Sequence, residues 1–287
     1  MTAALALVFL TQDLIGDVTK AEFLNLVRSA GFQVTDSTWQ HGASISDGKA
    51  SAQLRIWYFE NAGGLTAVRD VSGTNEFELP KTLSQEDLAK WQKSSNLESL
   101  GLRTYLGGRV VVQAYLATQN TSRASLKRVI GDYLAGVKLV GDFVATRGGK
   151  PATTEGTIGS APLNLNDRLT VVDSRDFDYL RVTLKWGEAV DAGGGKGWMT
   201  GGQPFGVPVI FNGFIGRTGF DLIWMGQVKD EAKRERIREL TKDWHYSLIQ
   251  DPFVNLSERV ETDKGITVGQ IIDKVEKFAR KIKDLGL

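Results

Sequence analysis

The chain has 287 residues, a formal net charge of +1, 41% hydrophobic and 24% charged residues, and no cysteine. That length exceeds the usual single domain and the composition supports a sizeable core, so two domains are expected. Near-neutral, interspersed charge excludes a global field for nucleic acid or an anionic membrane surface. The lack of cysteine excludes disulfides, a thiol nucleophile and thiolate metal sites, without favouring a reducing or an oxidising compartment.

Residues 3–10 form an apolar run resembling the hydrophobic part of a signal peptide. No Lys or Arg precedes it, however, and no small-residue cleavage pattern follows before Thr11-Gln12-Asp13. It reads as a first segment docked on the core, or as the trimmed remainder of a longer precursor. No other uninterrupted apolar run approaches the roughly 20 residues of a membrane span. The expectation is a soluble, cytoplasmic chain, or a periplasmic or secreted one if its start is a trimmed signal segment.

Thr19-Lys20-Ala21-Glu22 has the spacing of a capping box, Phe23, Leu26, Val27 and Ala30 supply the apolar face behind it, and Gly31 is the expected left-handed stop. Residues 32–34, 52–59 and 65–71, punctuated by Ser46-Asp47-Gly48 and Gly63-Gly64, read as antiparallel strands. Ser84 caps a second helix with acids in its first turn, and Leu88 and Trp91 lie on its apolar face. Residues 102–105 and 110–116 flank Gly107-Gly108 as a hairpin, and Thr121 or Ser122 opens a long closing helix.

The stretch from Arg147 to Ala161 carries Gly, Thr and Ser without apolar periodicity and reads as a linker. Beyond it the order recurs. A helix is expected at residues 176–184, strands at 207–211 and 220–225, and a charged helix with Ile237, Leu240, Trp244 and Leu248 on one face. A short extended segment follows, and then a second capping box, Thr267-Val268-Gly269-Gln270, opens a last helix that Gly286 ends.

That last helix repeats the earlier closing helix. Leu126, Ile130, Tyr133, Val137 and Val140 reappear 145 residues later as Ile271, Val275, Phe278, Ile282 and Leu285. The middle helices align at 149 through Leu88 with Ile237 and Trp91 with Leu240, and the first helices at 154 through Phe23 with Phe177 and Leu26 with Leu180. A stripe of one shape closing each half predicts two copies of one module, the second with shorter connections.

The run 88–92, Asn96, residues 100–106 with Arg103 and Tyr105, residues 110–116, and the helix 122–140 with Phe143 together resemble the core of the bacterial YbjN family. That family shows a helix with a Trp-Asn-like pair, an Arg-x-Tyr strand, a second alternating strand and a closing amphipathic helix. The resemblance covers most of residues 13–146 and implies a fold like that of type III secretion chaperones, small α/β modules that bind other proteins and commonly dimerise. Two departures stand out: Gln92 takes the place of the favoured asparagine, and residues 254–258 have lost the Arg-x-Tyr pattern.

Catalytic patterns are weaker. Gly193-Gly194-Gly195-Lys196-Gly197 suggests a phosphate loop, but Val190 and Gly197 stand where that motif requires Gly and Ser or Thr. Gly213, Gly216 and Gly219, beside Phe211, Phe214 and Phe220, fit a bulged hairpin better than a dinucleotide turn. The two histidines, His41 and His245, have no ligand-like carboxylate spacing around them, and a Ser174, His245, Asp173 triad lacks a nucleophile elbow. Lys229, Lys233, Arg234, Arg236, Arg238 and Lys242 are nearly cancelled by interleaved acids, which describes a solvated helix face rather than a nucleic-acid one. Trp186, Trp198 and Trp224 flank the glycine-rich loop and are either core or the anchors of a peptide groove.

The expected architecture is therefore α+β: two tandem chaperone-like modules at 1–147 and 161–287, joined by a linker at 148–160, each an antiparallel sheet with helices mainly on one face. The expected role is non-enzymatic binding of another protein or peptide segment, chaperone-like or regulatory, with intramolecular module pairing and a possible homodimer. No nucleic acid, membrane, metal or cofactor is expected. The partner site is placed at Trp186, Trp198, Met199 and Phe205. The competing reading is a hydrolase or small-molecule sensor built at the same glycine- and tryptophan-rich loop.

Overall fold

The computed structural model describes residues 14–37, 41–60, 64, 66–118, 121–152, 158–190, 197–213 and 218–287. The apolar run at 3–10, most of the glycine-rich loop at 193–197, and Phe214 and Gly216 lie outside the described residues. The chain is α+β with antiparallel sheets, as its patterning predicts. Contacts divide it into two compact units, one of 1–78, 88–103 and 110–155, the other of 79–87, 104–109 and 156–287.

The first part of the chain forms α1 (Lys20–Ser29), β1 (Gln33–Asp36), β2 (Gly42–Ser46), β3 (Ser51–Glu60), β4 (Thr66–Glu78), α2 (Gln85–Ser94), β5 (Gly101–Tyr105), β6 (Arg109–Ala117), α3 (Arg123–Ala145) and the two-residue β7 (Lys150–Pro151). The strands lie in the order β1-β2-β3-β4-β6-β5, and β7 pairs with β4. Strand alternation puts Leu54, Ile56 and Val71 on the helix side, where α1 buries Phe23, Leu24 and Val27 and α3 buries Leu126, Ile130, Tyr133 and Leu134. Gly73 on β4 lets α3 approach, since a methyl group there would overlap the Tyr133 ring. The Tyr133 hydroxyl donates to Asn75 Oδ1 at 2.8 Å, so the one polar atom of this buried ring is satisfied.

The remainder forms β8 (Arg168–Leu169), α4 (Ser174–Thr183), β9 (Trp198–Gly202), a 3-10 turn at Pro204–Gly206, β10 (Val209–Gly213), β11 (Phe220–Gln227), α5 (Glu231–Leu240), β12 (His245–Gln250), β13 (Phe253–Val260), β14 (Ile266–Thr267) and α6 (Val268–Asp284). Its sheet runs β12-β13-β11-β10-β9. Read from the other edge, that is β9-β10-β11-β13-β12, the order of β2-β3-β4-β6-β5 in the first unit. Each unit thus has a three-stranded meander, a helix, a hairpin whose second strand joins the meander, and a closing helix.

The correspondence extends to the helix ends. Capping boxes open α1 at Thr19 and α4 at Asp173, which are 154 residues apart. Both helices close on a left-handed residue, Gly31 at φ 100° and Lys185 at φ 54°, again 154 apart. In each the next amide bonds back over the last turn, Phe32 to the Val27 carbonyl and Trp186 to that of Arg181. Side-chain caps open α3 at Ser122 and α6 at Thr267, 145 apart, and each capping residue also pairs with an upstream strand residue, Leu14 or Arg168. The middle helices match less simply. Their buried residues, Leu88 and Ile237, are 149 apart, whereas the first helical residues, Gln85 and Glu231, are 146 apart, a difference of nearly one turn.

Three segments differ from their sequence reading. The charged helix stops at Leu240, and the residues expected to prolong it form the turn at Trp244 and strand β12, so His245 lies on a strand, exposed. Residues 254–258 belong to β13, the counterpart of β6, and β12 holds the place of the Arg-x-Tyr strand. Residues 198–202, read as part of a recognition loop, form the edge strand β9. Its Gly201 serves close packing, since a Cβ there would lie 2.8 Å from Val190 Cβ, whereas one on Gly202 would make only ordinary contact, 3.4 Å from the Arg181 side chain.

The second unit takes in the turn after β5. The Asp176 carboxylate, 1% exposed in the first turn of α4, accepts the Leu106 N–H at 2.9 Å and the Asp173 N–H at 3.1 Å. Gly107 and Gly108 follow at φ 77° and 81°. The Gly107 carbonyl accepts from Ala161 N–H at 2.9 Å and that of Gly108 from Leu79 N–H at 2.7 Å. The Tyr179 hydroxyl donates to the Ala161 carbonyl at 2.6 Å, and its ring sits where a Gly107 Cβ would be only 2.6 Å away. Side chains at 107 or 108 would therefore be excluded by both conformation and space.

Two stability outcomes follow. Lys185→Gly, which relieves a left-handed lysine at a helix stop, should raise the unfolding free energy by about 0.5 to 1 kcal/mol; a drop would mean that its side chain contributes more than the strain removes. Asp176→Ala strands the Leu106 amide and removes a cap, and should cost about 3 kcal/mol in denaturant unfolding. An unchanged midpoint would show that this buried carboxylate is not a stabilising anchor.

Candidate functional site

The four residues nominated from sequence do not converge on one surface. Trp186 is 4% exposed, its ring 6.0 Å from Phe211 in the core of the second unit. Its indole packs within the protein. Trp198 is half-buried on the same core, 5.8 Å from Phe177, and lies over Gly213, where any side chain would collide with the indole. Met199, next along β9, points to the opposite face of the sheet and pairs with Asn212. Phe205 alone is well exposed, at 43%, with the Arg280 guanidinium 4.5 Å from its ring centroid and a left-handed backbone at φ 54°. Trp224 is also core.

The other chemistry-bearing residues are engaged separately. Asp173 caps α4, while His245 sits on β12 opposite Ser257, so the imagined triad is divided between elements. His41 Nδ1 is 3.0 Å from the Ile56 carbonyl. On α5 the basic residues meet acids, Arg238 with Glu235 at 3.4 Å and Arg234 with Asp251 at 3.0 Å. Among the described residues no group of three His, Asp or Glu side chains could hold a metal ion, and no helix is long and apolar enough to cross a membrane.

A different constellation stands out on the helix-free face of the first sheet. With Leu54 and Ile56 of β3 turned inward, Trp57 turns outward and is 44% exposed. It pairs with Asp70 of β4, and immediately after it the ladder slips, since Tyr58 pairs with Val68 and Arg69 is the extra residue of a bulge. Thr118 fixes the bulge: its N–H donates to the Arg69 carbonyl at 3.0 Å and its hydroxyl to the Val68 carbonyl at 2.7 Å. Tyr115 of β6, 65% exposed, donates its hydroxyl to Asp70 Oδ1 at 2.6 Å, and Arg69 Nε holds Oδ2 at 2.6 Å. Two exposed aromatic side chains thus flank a carboxylate whose two oxygens are both engaged. Their strands are separated only by β4, about 9.6 Å at the backbone.

The second unit has the same frame with different side chains. Asp221 on β11 pairs with Asn212 on β10, as Asp70 pairs with Trp57, and it meets Arg259 on β13 at 3.2 Å where Asp70 meets Tyr115. Aromatic rings on one face are replaced by an amide and a guanidinium on the other. A signal for Trp57 was present in the sequence: in 52–59 the residues Ala52, Leu54 and Ile56 claim the buried face, leaving a tryptophan on the polar one. The strand pairing that brings Tyr115 to it had no local signature.

A scan against protein-family models finds no family that matches the chain, and a search of curated proteins finds no relative.

The Tyr115 phenol is raised above its ordinary value, first by the hydrogen bond to Asp70 and further by burial. The bond requires the protonated phenol, so its contribution is present at neutral pH and is lost as pH rises through the tyrosine titration. In ultraviolet titration Asp70→Asn should shift one tyrosine transition to lower pH. A profile identical to wild type would show that the pair does not form in solution.

Proposed function

We propose that the chain is a tandem duplication of a YbjN-like module and acts as a non-enzymatic, chaperone-like binder of other proteins. The observation that carries this reading is one sheet order with the same capped helices, occurring twice, with Trp57 and Tyr115 flanking Asp70 on the outer face of the first unit where Asn212 and Arg259 flank Asp221 in the second. A shared frame accounts for residues that the fold needs in both copies, such as the caps and the stripes of α3 and α6. It does not account for Trp57 and Tyr115, whose counterparts Asn212 and Arg259 satisfy the same strand positions. Exposed tryptophan and tyrosine supply large contact area at low entropic cost and are enriched where proteins meet. The outer face of β3, β4 and β6 is therefore the better site for a partner than the Trp186 and Trp198 region, whose rings are spent on the core. The likeness to secretion-chaperone modules points the same way, toward an extended protein segment as the bound species.

Quantitative affinity capture with the full chain tests the assignment. Trp57→Ala combined with Tyr115→Ala should change unfolding by less than about 1 kcal/mol, since both side chains are surface residues. The captured partner should fall by roughly tenfold, the loss expected on removing aromatic anchors. Equal capture by the wild type and the double variant would remove this face from the reading. Turnover of a substrate on addition of candidate esters or phosphates would overturn the non-enzymatic assignment.

A further inference from the structure

A second difference between the units concerns their middle and closing helices. In the first unit α3 continues to Ala145, and Phe143 near its end is buried with its ring centroid 4.2 Å from that of Trp91 on α2. The Arg147 guanidinium covers the same ring at 3.7 Å. In the second unit α6 is stopped by its cap at Leu285 and by left-handed Gly286. These match Val140 and Gly141, 145 residues earlier in the interior of α3, so α6 stops before the turn that carries Phe143 on α3.

The place of Trp91 is also changed. Its counterpart is Ile237 when the helices are aligned on their first residues and Leu240 when they are aligned on their buried ones, and both residues line an open cleft of about 530 Å³ between α5 and the end of α6. Leu285 completes the apolar surface, Lys233, Arg236 and Asp284 also line the cleft, and Lys233 Nζ fixes one wall through the Gly286 carbonyl at 2.9 Å. Leu240 is 52% exposed.

We propose that this cleft receives an aromatic side chain presented on a helical turn of a partner protein, as Phe143 on α3 fills the corresponding place in the first unit. The internal copy supplies the template for the occupant. It is an amphipathic turn with one aromatic anchor, the mode in which a helix lays an apolar residue into a groove. This inference rests on the duplication proposed above but not on the aromatic face of β3, β4 and β6, and either site can fail without the other.

The test uses the template itself. A fluorescein-labelled peptide of residues 138–149, which contains Phe143 and Arg147, is titrated with the full chain and followed by anisotropy. Saturable binding is expected, weakened by about tenfold or more when the peptide carries Phe143→Ala. The same loss is expected when the protein carries Leu240→Glu, with Leu240→Lys as a second variant of opposite charge. Because Leu240 is exposed, both proteins should melt like the wild type. Absence of saturation up to roughly millimolar protein, or equal binding by wild type and both Leu240 variants, would overturn the proposal. Equal binding would mean that the peptide docks elsewhere, as by displacing α3 from its own place.

Discussion

The buried carboxylate of Asp176 ties together parts of the second unit that lie far apart in the chain. It completes the capping box of α4 and at the same time receives the amide of Leu106 from a turn 70 residues earlier in the chain. A buried anion is costly unless its lone pairs are used, and here backbone amides use them. Around this point Gly107 and Gly108 give their carbonyls to Ala161 and Leu79. The Tyr179 ring fills the space that the missing Cβ atoms leave. One acid therefore fixes the start of a helix, the path of the segment at 158–163 and a turn that the sequence assigns to the other half.

Once the caps and the strand order are in place, the frame constrains little else, and the two units differ where the constraint ends. Inward positions stay apolar in both: Tyr133 and Phe278 are buried alike, at 1% and 0% exposure, although one carries a hydroxyl and needs Asn75 to satisfy it. Outward positions differ: Trp57 and Tyr115 flank Asp70 in the first unit, and Asn212 and Arg259 flank Asp221 in the second. The closing helix is free to change in length. Gly286 is left-handed and ends α6, whereas Gly141 at the matching position stays helical and α3 runs on to Ala145.

Helices were legible because their signals are local. Thr19 with Glu22, Thr267 with Gln270, and the stripes of α3 and α6 each lie within a few residues, and the offsets of 154 and 145 recur in the caps that the structure shows. Strands whose identity depends on a distant neighbour were not legible. β2 is built of small residues, with Ala43 and Ser44 paired on both sides, and shows no strong alternation. β9 carries Gly201 where Val190 crowds it, and its glycines read locally as a flexible loop. In β12 the spacing of Trp244 and Leu248 imitates a helix, and only pairing with β13 makes the segment a strand. The same reason hid the candidate face: Trp57 could be placed on an outer surface, but its neighbour across β4 is a matter of topology.

The dispersal of the second unit over three stretches of chain bears on how the protein is made. The turn at 104–109 leaves the ribosome well before Asp176, Ala161 and Tyr179, the groups that complete its hydrogen bonds and cover its glycines. During that interval the Leu106 amide and the Gly107 carbonyl lack the partners they have in the folded chain, and contacts of such wide sequence separation form late because loop closure must precede any gain. Synthesis from the N-terminus therefore cannot finish one unit and then begin the next. Residues 79–87 and 104–109 must wait for sequence beyond 156, and a nascent chain halted near residue 150 would carry an open hairpin end, the kind of transient surface that invites misassembly.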